Sequence, residues 1–184
     1  YHPSKVGVLE YFKCHDRPCY LSLYYDPLNT KKLVSCMTTR PLYCYLSGQK
    51  LSVSYVDFLC VHPSHRKQGV APFQIYTHYY KSRRLGSASI FLIKREGAIN
   101  MIVPLVVYYT YVFKAASWCR VNYNLPNNIT CRIVTTGNIK LLFHYIKEIT
   151  TAFPCVIIPC FSHMKNLIEH KLLLPCILMD DQCV

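Results

Sequence analysis

The sequence has few acidic residues and few glycines. It holds 9 Asp plus Glu against 21 Lys plus Arg in 184 residues, which gives a formal net charge of +12. With only 6 glycines and no fixed period, collagen and short-repeat solenoids are excluded. The glycine patterns of P-loop and Rossmann phosphate sites are also missing. The positive charge favours a phosphate-bearing partner: a nucleic acid, a membrane surface or a nucleotide-like cofactor.

The chain has 11 cysteines, yet no two of them form a CxxC pair. Structural zinc sites need thiolates at such short spacing, so we expect no metal. Their number is odd, and Cys36, Cys44 and Cys60 lie inside apolar runs. Most of the cysteines are therefore expected to be buried free thiols that act as small hydrophobes. Free thiols indicate a reducing compartment, and we expect a cytoplasmic protein.

No targeting or membrane segment is expected. Residues 1–5 do not show the charged-then-apolar order of a signal peptide. Residues 99–113 are apolar, but they include Asn100 and Pro104 and are short for a membrane span. Their Val and Tyr content favours a buried strand instead. Because 52% of the residues are hydrophobic and 14% are aromatic, the chain is expected to fold rather than to be disordered.

Hydrophobic periodicity predicts an α+β domain rather than a regular alternation of strands and helices. Leu51, Val53 and Tyr55 alternate with polar residues, whereas residues 58–61 form a solid apolar run, so that strand is expected to end buried on both faces. The last 50 or so residues have too few elements to bury a core of their own. The predicted helices are 4–11, 70–80, 137–150 and 164–171, and the predicted strands are 19–25, 32–46, 51–61, 88–93, 103–113, 131–134 and 172–179.

The segment with a chemical signature is residues 58–72, which is predicted to be a strand end, a polar loop and a helix start. Successive backbone N–H groups at a helix N-terminus bind anions, and Gly69 lets a ligand approach the backbone closely. Arg66 and Lys67 add positive charge for a diphosphate. The pattern Arg66-x-x-Gly69-x-Ala71 matches the acyl-CoA loop of the GNAT acetyltransferases. An ordinary strand–helix loop with a basic cluster is the alternative.

The wider register of this segment resembles the acyl-CoA segment of the N-myristoyltransferases. The residues that carry the resemblance are 58–62, Arg66 and 70–72, and weaker likeness extends over residues 32–43, 104–106, 131–133, 139–149, 158–159 and 167–170. The resemblance implies a GNAT-like fold with a mostly antiparallel mixed sheet flanked by helices. Residues 1–125 would form the half that carries the acyl-CoA site, and residues 126–184 the incomplete start of a second, pseudo-symmetric half.

The resemblance also implies the reaction, in which a myristoyl group passes from myristoyl-CoA to the N-terminal glycine of a peptide or protein. Backbone N–H groups of Phe58 and Leu59 would hold the thioester oxygen, as preorganised oxyanion donors do. The other implied acyl-CoA contacts are Cys60 and Val61 along the pantetheine, and Arg66, Lys67, Gly69, Val70 and Ala71 at the phosphates. The expected protein is a monomer that binds no nucleic acid.

Several positions depart from the family pattern. The family usually has Ser where Lys67 stands and Arg or Lys where Gly69 stands, and its Tyr-Thr-Ala-Gly segment corresponds only loosely to residues 93–97 here. Its base is the terminal carboxylate of a complete second half, which this chain lacks. Asp57 and His62 flank the implied oxyanion strand and are alternative bases. Two further alternatives stay open: a truncated, non-catalytic relative that binds acyl-CoA or a partner, and a basic nucleic-acid-binding module.

Overall fold

The computed structural model describes residues 4–86, 89–94, 106–107, 109, 111–112 and 126–180. The chain divides into two compact units, residues 1–93 with 133–177 and residues 94–132 with 178–184. The first unit holds the main sheet and all the residues of the candidate site. In chain order the elements are α1 Lys5–Tyr11, β1 Tyr20–Asp26, β2 Asn29–Leu46, β3 Gln49–Val61, a 3-10 helix Pro63–His65, α2 Val70–Arg84, β4 Ile90–Ile93, β5 Ile129–Ile133, α3 Lys140–Ala152, β6 Cys155–Ile158, α4 Phe161–Glu169 and β7 Cys176–Asp180.

The main sheet is built on β2 and β3, its two longest strands. They pair antiparallel along nearly their whole length, and β4 adds to β3 in parallel orientation. β1 pairs with β2 as far as Thr39, and β6 pairs with β2 from Tyr43 onward. Pro41 lies in the gap between these two neighbours, which explains how a residue without an N–H is accommodated inside a central strand.

Two tight turns set the register of the antiparallel strands. Asp26 opposes Asn29 across the first turn, and its carboxylate accepts a hydrogen bond from the backbone N–H of Leu28 at 2.9 Å. Ser47 and Gly48 form the second turn, with φ values of 48° and 80°. Positive φ at both central residues is the type I′ geometry that matches the twist of a two-residue hairpin.

Helix α2 is fixed to the sheet by buried polar residues. Gln74, His78 and Ser82 lie one turn apart on its buried face. The His78 ring is 1% exposed and lies between two hydroxyls, with Nδ1 2.7 Å from Ser22 Oγ of β1 and Nε2 2.9 Å from Thr39 Oγ1 of β2. Hydrogen bonding on both ring nitrogens satisfies a group whose burial would otherwise be costly.

The apolar core is divided into small clusters. One lies in the sheet and consists of Leu42, Cys44 and Val53. A second joins α3, β6 and α4 through Ile146, Ile158 and Met164. These contacts place the C-terminal elements of the first unit against β2.

The mixed α+β class predicted from sequence is confirmed. The helices at 4–11, 70–80 and 137–150 and the first three strands are present with boundaries shifted by a few residues. β6 was not predicted as a strand, and most of the strand predicted at 103–113 lies outside the described residues. β5 and β7 form a separate two-stranded sheet. Within the described residues, no helix has the length and apolar character needed to cross a membrane.

Candidate functional site

The end of β3 contains a β-bulge at the predicted oxyanion position. Cys60 pairs with Cys36 and Asp57 pairs with Thr38, so two residues of β3, Phe58 and Leu59, stand opposite one residue of β2. A bulge disrupts the hydrogen-bond ladder locally and redirects the strand. The described pairing of β3 with β4 also ends at Val56. The backbone of Phe58 and Leu59 therefore lies where the ladder with β2 is interrupted, past the last described pair with β4.

Phe58 has an unusual backbone conformation. Its φ is +45°, a left-handed value that a bulky side chain rarely adopts. Such a conformation costs roughly 1–2 kcal/mol and persists only where neighbouring contacts impose it. The contacts here are rings of the α1 end: the Phe58 centroid lies 6.1 Å from that of Tyr11 and 5.9 Å from that of Phe12.

A turn that is rich in local hydrogen bonds connects β3 to α2. His62 Nδ1 lies 2.8 Å from Ser64 Oγ and caps the 3-10 helix, and Arg66 Nε donates to the Val61 carbonyl at 3.3 Å. Lys67 and Gly69 have φ values of +60° and +75°. Left-handed residues in such a turn direct successive N–H groups to one side and form an anion-binding concavity.

The N-terminus of α2 follows this turn without a side-chain cap. Gly69 occupies the N-cap position, no side chain accepts from the first N–H groups, and the first turn contains no acidic residue. The backbone N–H groups of Val70 and Ala71 therefore carry the partial positive charge of a 15-residue helix, and no side-chain cap neutralises it. Arg66, Lys67 and Gly69 are all exposed beside it. This arrangement suits a phosphate or diphosphate.

The structure brings the predicted contact residues onto one continuous path. Phe58 and Leu59 form the bulge, Cys60 and Val61 end the strand, and the remaining predicted residues form the turn and the helix start. Cys60 is exposed and Phe58 is 51% exposed, so the prediction that the strand ends buried on both faces is wrong. The apolar run reflects a bulged strand end that is open to solvent rather than a doubly covered one.

The thiols of Cys36 and Cys60 lie beside each other across β2 and β3. Burial raises the pKa of the Cys36 thiol, and the neighbouring Cys60 thiol raises it further by a smaller amount. All the described cysteines are free. The prediction of buried thiols holds for Cys44 and is wrong for Cys60. The alternation of the β3 side chains puts Cys60 on the open face beside the bulge.

The two candidate bases have different surroundings. His62 is exposed and engaged in capping the 3-10 helix, as an ordinary loop residue. Asp57 is largely buried: Arg40 Nε donates to its Oδ2 at 2.9 Å, and the Tyr11 hydroxyl donates to its Oδ1 at 3.3 Å. Burial raises the pKa of Asp57, although Arg40 and Tyr11 oppose the shift.

Arg40 and Tyr11 were not predicted as site residues. The available signal was a pair of opposite charges, Arg40 and Asp57, inside two long strands whose other charged residues are lysines close to the turns. Their side chains are only 15% and 12% exposed. The Arg40 guanidinium also lies over the rings of Tyr11 and Tyr55, at 4.8 and 5.2 Å from the centroids. Pairing and ring contacts together compensate the buried guanidinium.

Two surface pockets in the described structure are lined by other residues. One, of about 390 Å³, is formed by Phe12 and residues 14–19, and the other, of about 240 Å³, lies between β2, β3 and the start of α4. The turn at residues 66–69 is exposed instead, as a backbone cradle for phosphates requires. Within the described ranges, no three His, Cys, Asp or Glu side chains come together as metal ligands.

No protein-family model and no curated protein sequence matches this chain. Among solved structures, a GCN5-related N-acetyltransferase from Kribbella flavida is similar over 81% of this chain and 38% of its own, with 12% identity and a TM-score of 0.51. A Saccharomyces cerevisiae N-myristoyltransferase with bound myristoyl-CoA is similar over 75% of this chain and 35% of its own, with 14% identity and a TM-score of 0.54. The chain has a GNAT-like fold and spans little more than a third of the length of either structure.

Proposed function

We propose that this chain binds acyl-CoA and transfers the acyl group to an amine, with myristoyl-CoA as donor and an N-terminal glycine as acceptor. The observation that carries the proposal is the bulge at Phe58 and Leu59, followed after a short turn by the uncapped N-terminus of α2. The bulge offers backbone donors for a carbonyl oxygen, and the turn offers backbone donors for phosphates. A CoA thioester has both groups in one molecule.

The reaction needs no covalent intermediate with the protein. The amine nitrogen attacks the thioester carbonyl carbon, so a C–N bond forms while negative charge develops on the oxygen near Phe58 and Leu59. Collapse of the tetrahedral intermediate breaks the C–S bond, and the CoA thiolate leaves and takes up a proton. The amine loses one proton to a base. His62 is engaged in its turn and Asp57 in its ion pair, so we assign this proton to neither residue.

The choice of myristoyl-CoA and of a glycine acceptor rests on two supports. One is the resemblance of residues 58–72 to the N-myristoyltransferase segment. The other is the fold similarity to the yeast N-myristoyltransferase with bound myristoyl-CoA. The turn itself would receive the diphosphate of any CoA, so specificity for the acyl chain must come from residues other than Lys67 and Gly69.

Calorimetric titration with myristoyl-CoA, acetyl-CoA and free CoA tests the donor. We expect all three to bind and myristoyl-CoA to bind most tightly. Turnover is then measured as the mass gain of a Gly-starting peptide, with an Ala-starting peptide as control. Binding without turnover would select the non-catalytic alternative. Failure of every CoA species to bind would refute the proposal and bring forward a nucleic-acid partner for the basic surface.

Thiol alkylation locates the site within the chain. Cys60 lies in β3 next to the bulge. Cys131 and Cys176 are also exposed, but they lie on other strands. We expect saturating myristoyl-CoA to slow iodoacetamide labelling of Cys60 at least about tenfold and to leave the other two unchanged, because a bound ligand blocks access. Equal labelling of Cys60 with and without ligand would place the acyl-CoA elsewhere.

A further inference from the structure

We propose that Tyr11, Arg40 and Asp57 are positioning residues that hold the β3 bulge in the conformation that aims the Phe58 and Leu59 amides at the thioester oxygen. This inference rests on the proposed function, since it names the device that prepares the oxyanion donors. It also makes a claim that can be tested on the ligand-free protein, because every contact it names lies within the chain.

The network fixes Asp57 at three atoms. Its two carboxylate oxygens accept hydrogen bonds from Arg40 and Tyr11. Its backbone carbonyl accepts a hydrogen bond from Thr38 Oγ1 at 3.0 Å. Asp57 directly precedes Phe58. A residue held at its side chain and its carbonyl has little freedom in ψ, and the next peptide plane takes its orientation from that angle. The N–H of Phe58 belongs to this plane.

The network also holds Phe58 itself. The Tyr11 ring contacts the Phe58 ring on one side and the Arg40 guanidinium on another, at centroid distances of 6.1 and 4.8 Å. One side chain of α1 thus contacts the left-handed residue, the carboxylate before it and the cation that balances the carboxylate. A strained φ persists only where surrounding contacts over-determine it, and these contacts do so here.

The ionisation states suit this role. Burial raises the pKa of Tyr11 to about 12, so its hydroxyl keeps its proton and donates to Asp57. Within the described residues, the Asp57 carboxylate is therefore bonded to one guanidinium, that of Arg40, and to one neutral hydroxyl donor, that of Tyr11. His15 and His163, which lie on the same side of the sheet, have pKa values lowered by burial and stay neutral near pH 7.

The test uses two variants and a matched control. Tyr11→Phe keeps the ring and removes one hydrogen bond, and Asp57→Asn keeps the size and removes the charge. The control is Ser82→Ala, which removes a buried hydroxyl near the C-terminal end of α2, where Ser82 Oγ donates to the His78 carbonyl at 2.7 Å. Melting temperatures are measured for all three, so that a general loss of stability is separated from a local change.

Three readouts report the conformation of the bulge and its role in the reaction. Backbone NMR of the ligand-free protein gives the chemical shifts and hydrogen-exchange rates of the Phe58 and Leu59 amides. Infrared spectroscopy of bound myristoyl-CoA with a ¹³C-labelled thioester gives the carbonyl stretch, which falls in frequency as its hydrogen bonds strengthen. Steady-state kinetics with a Gly-starting peptide gives kcat and the KM for myristoyl-CoA.

We expect Tyr11→Phe and Asp57→Asn to shift both amides and speed their exchange, and to move the carbonyl band to higher frequency. In Asp57→Asn, kcat should fall roughly ten- to a hundredfold with KM within about twofold, because misaligned donors weaken the binding of the transition state more than that of the ground state. Ser82→Ala should leave the amides, the band and kcat unchanged.

Unchanged amides in both variants, with melting temperatures lowered as in the control, would overturn the inference and leave a purely stabilising ion pair. Shifted amides with an unchanged carbonyl band and kcat would overturn it as well, since the bulge would then not serve the reaction. If the wild-type chain binds no myristoyl-CoA, the proposed function fails, and with it the positioning role, while the amide data still decide what holds the bulge.

Discussion

The two parts of β3 differ in every respect that separates a scaffold from a site. From Gln49 to Val56 the strand pairs with β2 in regular register, and from Val53 onward with β4 as well; Val53 is 1% exposed. From Phe58 to Val61 the strand is bulged, contains a left-handed residue and exposes the side chains of Phe58 and Cys60. Regular pairing uses backbone donors, whereas a bulge interrupts the ladder locally. Under the proposed function, the regular part supplies rigidity and the irregular part supplies the oxyanion donors.

The largest effect should come from a charge placed in the turn that follows the irregular part. Gly69→Glu puts a carboxylate where phosphates would bind, and we expect it to weaken CoA binding roughly a hundredfold, or about 2–3 kcal/mol, through lost charge-assisted contacts. Calorimetry with CoA measures the change.

Gly48→Glu is the matched control for this variant. Gly48 has φ +80° against +75° for Gly69, and an added Cβ meets nothing within 4 Å at either position. Both variants carry the same strain and the same charge change, but Gly48 lies at the opposite end of β3. Equal losses of affinity in the two would show a general charge effect and remove the turn from the site.

The next effect concerns the regular part of the strand. Val53→Ala leaves a cavity in the cluster with Leu42 and Cys44. We expect it to lower the free energy of unfolding by about 2 kcal/mol. Urea denaturation measures the loss, and acyl-CoA affinity measured on the folded variant should stay within about twofold, since no ligand contact changes. A selective loss of affinity would mean that the two parts of β3 are not separable.

Acid should destabilise the fold through His78, which anchors α2 to the sheet. Burial lowers the pKa of His78 below its usual 6.5, so the unfolded chain binds a proton more readily than the folded chain. Stability is therefore fully present above pH 6.5 and is lost as the pH falls below it. We expect the melting temperature to fall by about 5 °C between pH 7.5 and 5.5.

His15 and His163 change stability in the same direction, because burial lowers their pKa values too. His78→Gln removes one titrating group and keeps the other two, so its acid-induced fall should be smaller than that of the wild type. Identical falls would show that His78 contributes nothing to the acid sensitivity. Asp57, whose pKa is raised by burial, shifts stability in the opposite direction.

The smallest effect on stability is expected at the bulge itself. Phe58→Gly removes the strain of the left-handed φ, because glycine adopts this conformation without a steric penalty. It also removes the contacts of a half-exposed ring. These two changes oppose each other, and we expect the free energy of unfolding to change by less than about 1 kcal/mol. Urea denaturation of Phe58→Gly and Val53→Ala under the same conditions compares their free energies of unfolding. A loss at Phe58 as large as that at Val53 would contradict the division of the strand into scaffold and site.

Much of the fold follows from local patterns. The turns at residues 26–29 and 47–48 carry turn-forming residues between apolar runs, and Pro72 lies in the first turn of α2, where its missing N–H is harmless. The turn between β3 and α2 was predicted as well, because glycine, basic residues and a helix start stand together in the sequence. β6 escaped prediction because four apolar residues between two helices have no distinctive period, and their pairing with β2 is a long-range contact.

The sequence by itself determined the α+β class, the hairpins and the position of the turn between β3 and α2, because each depends on residues that are neighbours along the chain. Only the tertiary structure decided that β3 bulges at Phe58 and that Cys60 is exposed. It also decided that Tyr11 and Arg40 meet at Asp57. The reason is physical: the register of β2 against β3 brings Arg40 to Asp57 over 17 positions, and the packing of α1 brings Tyr11 to Asp57 over 46 positions. No local pattern contains those contacts.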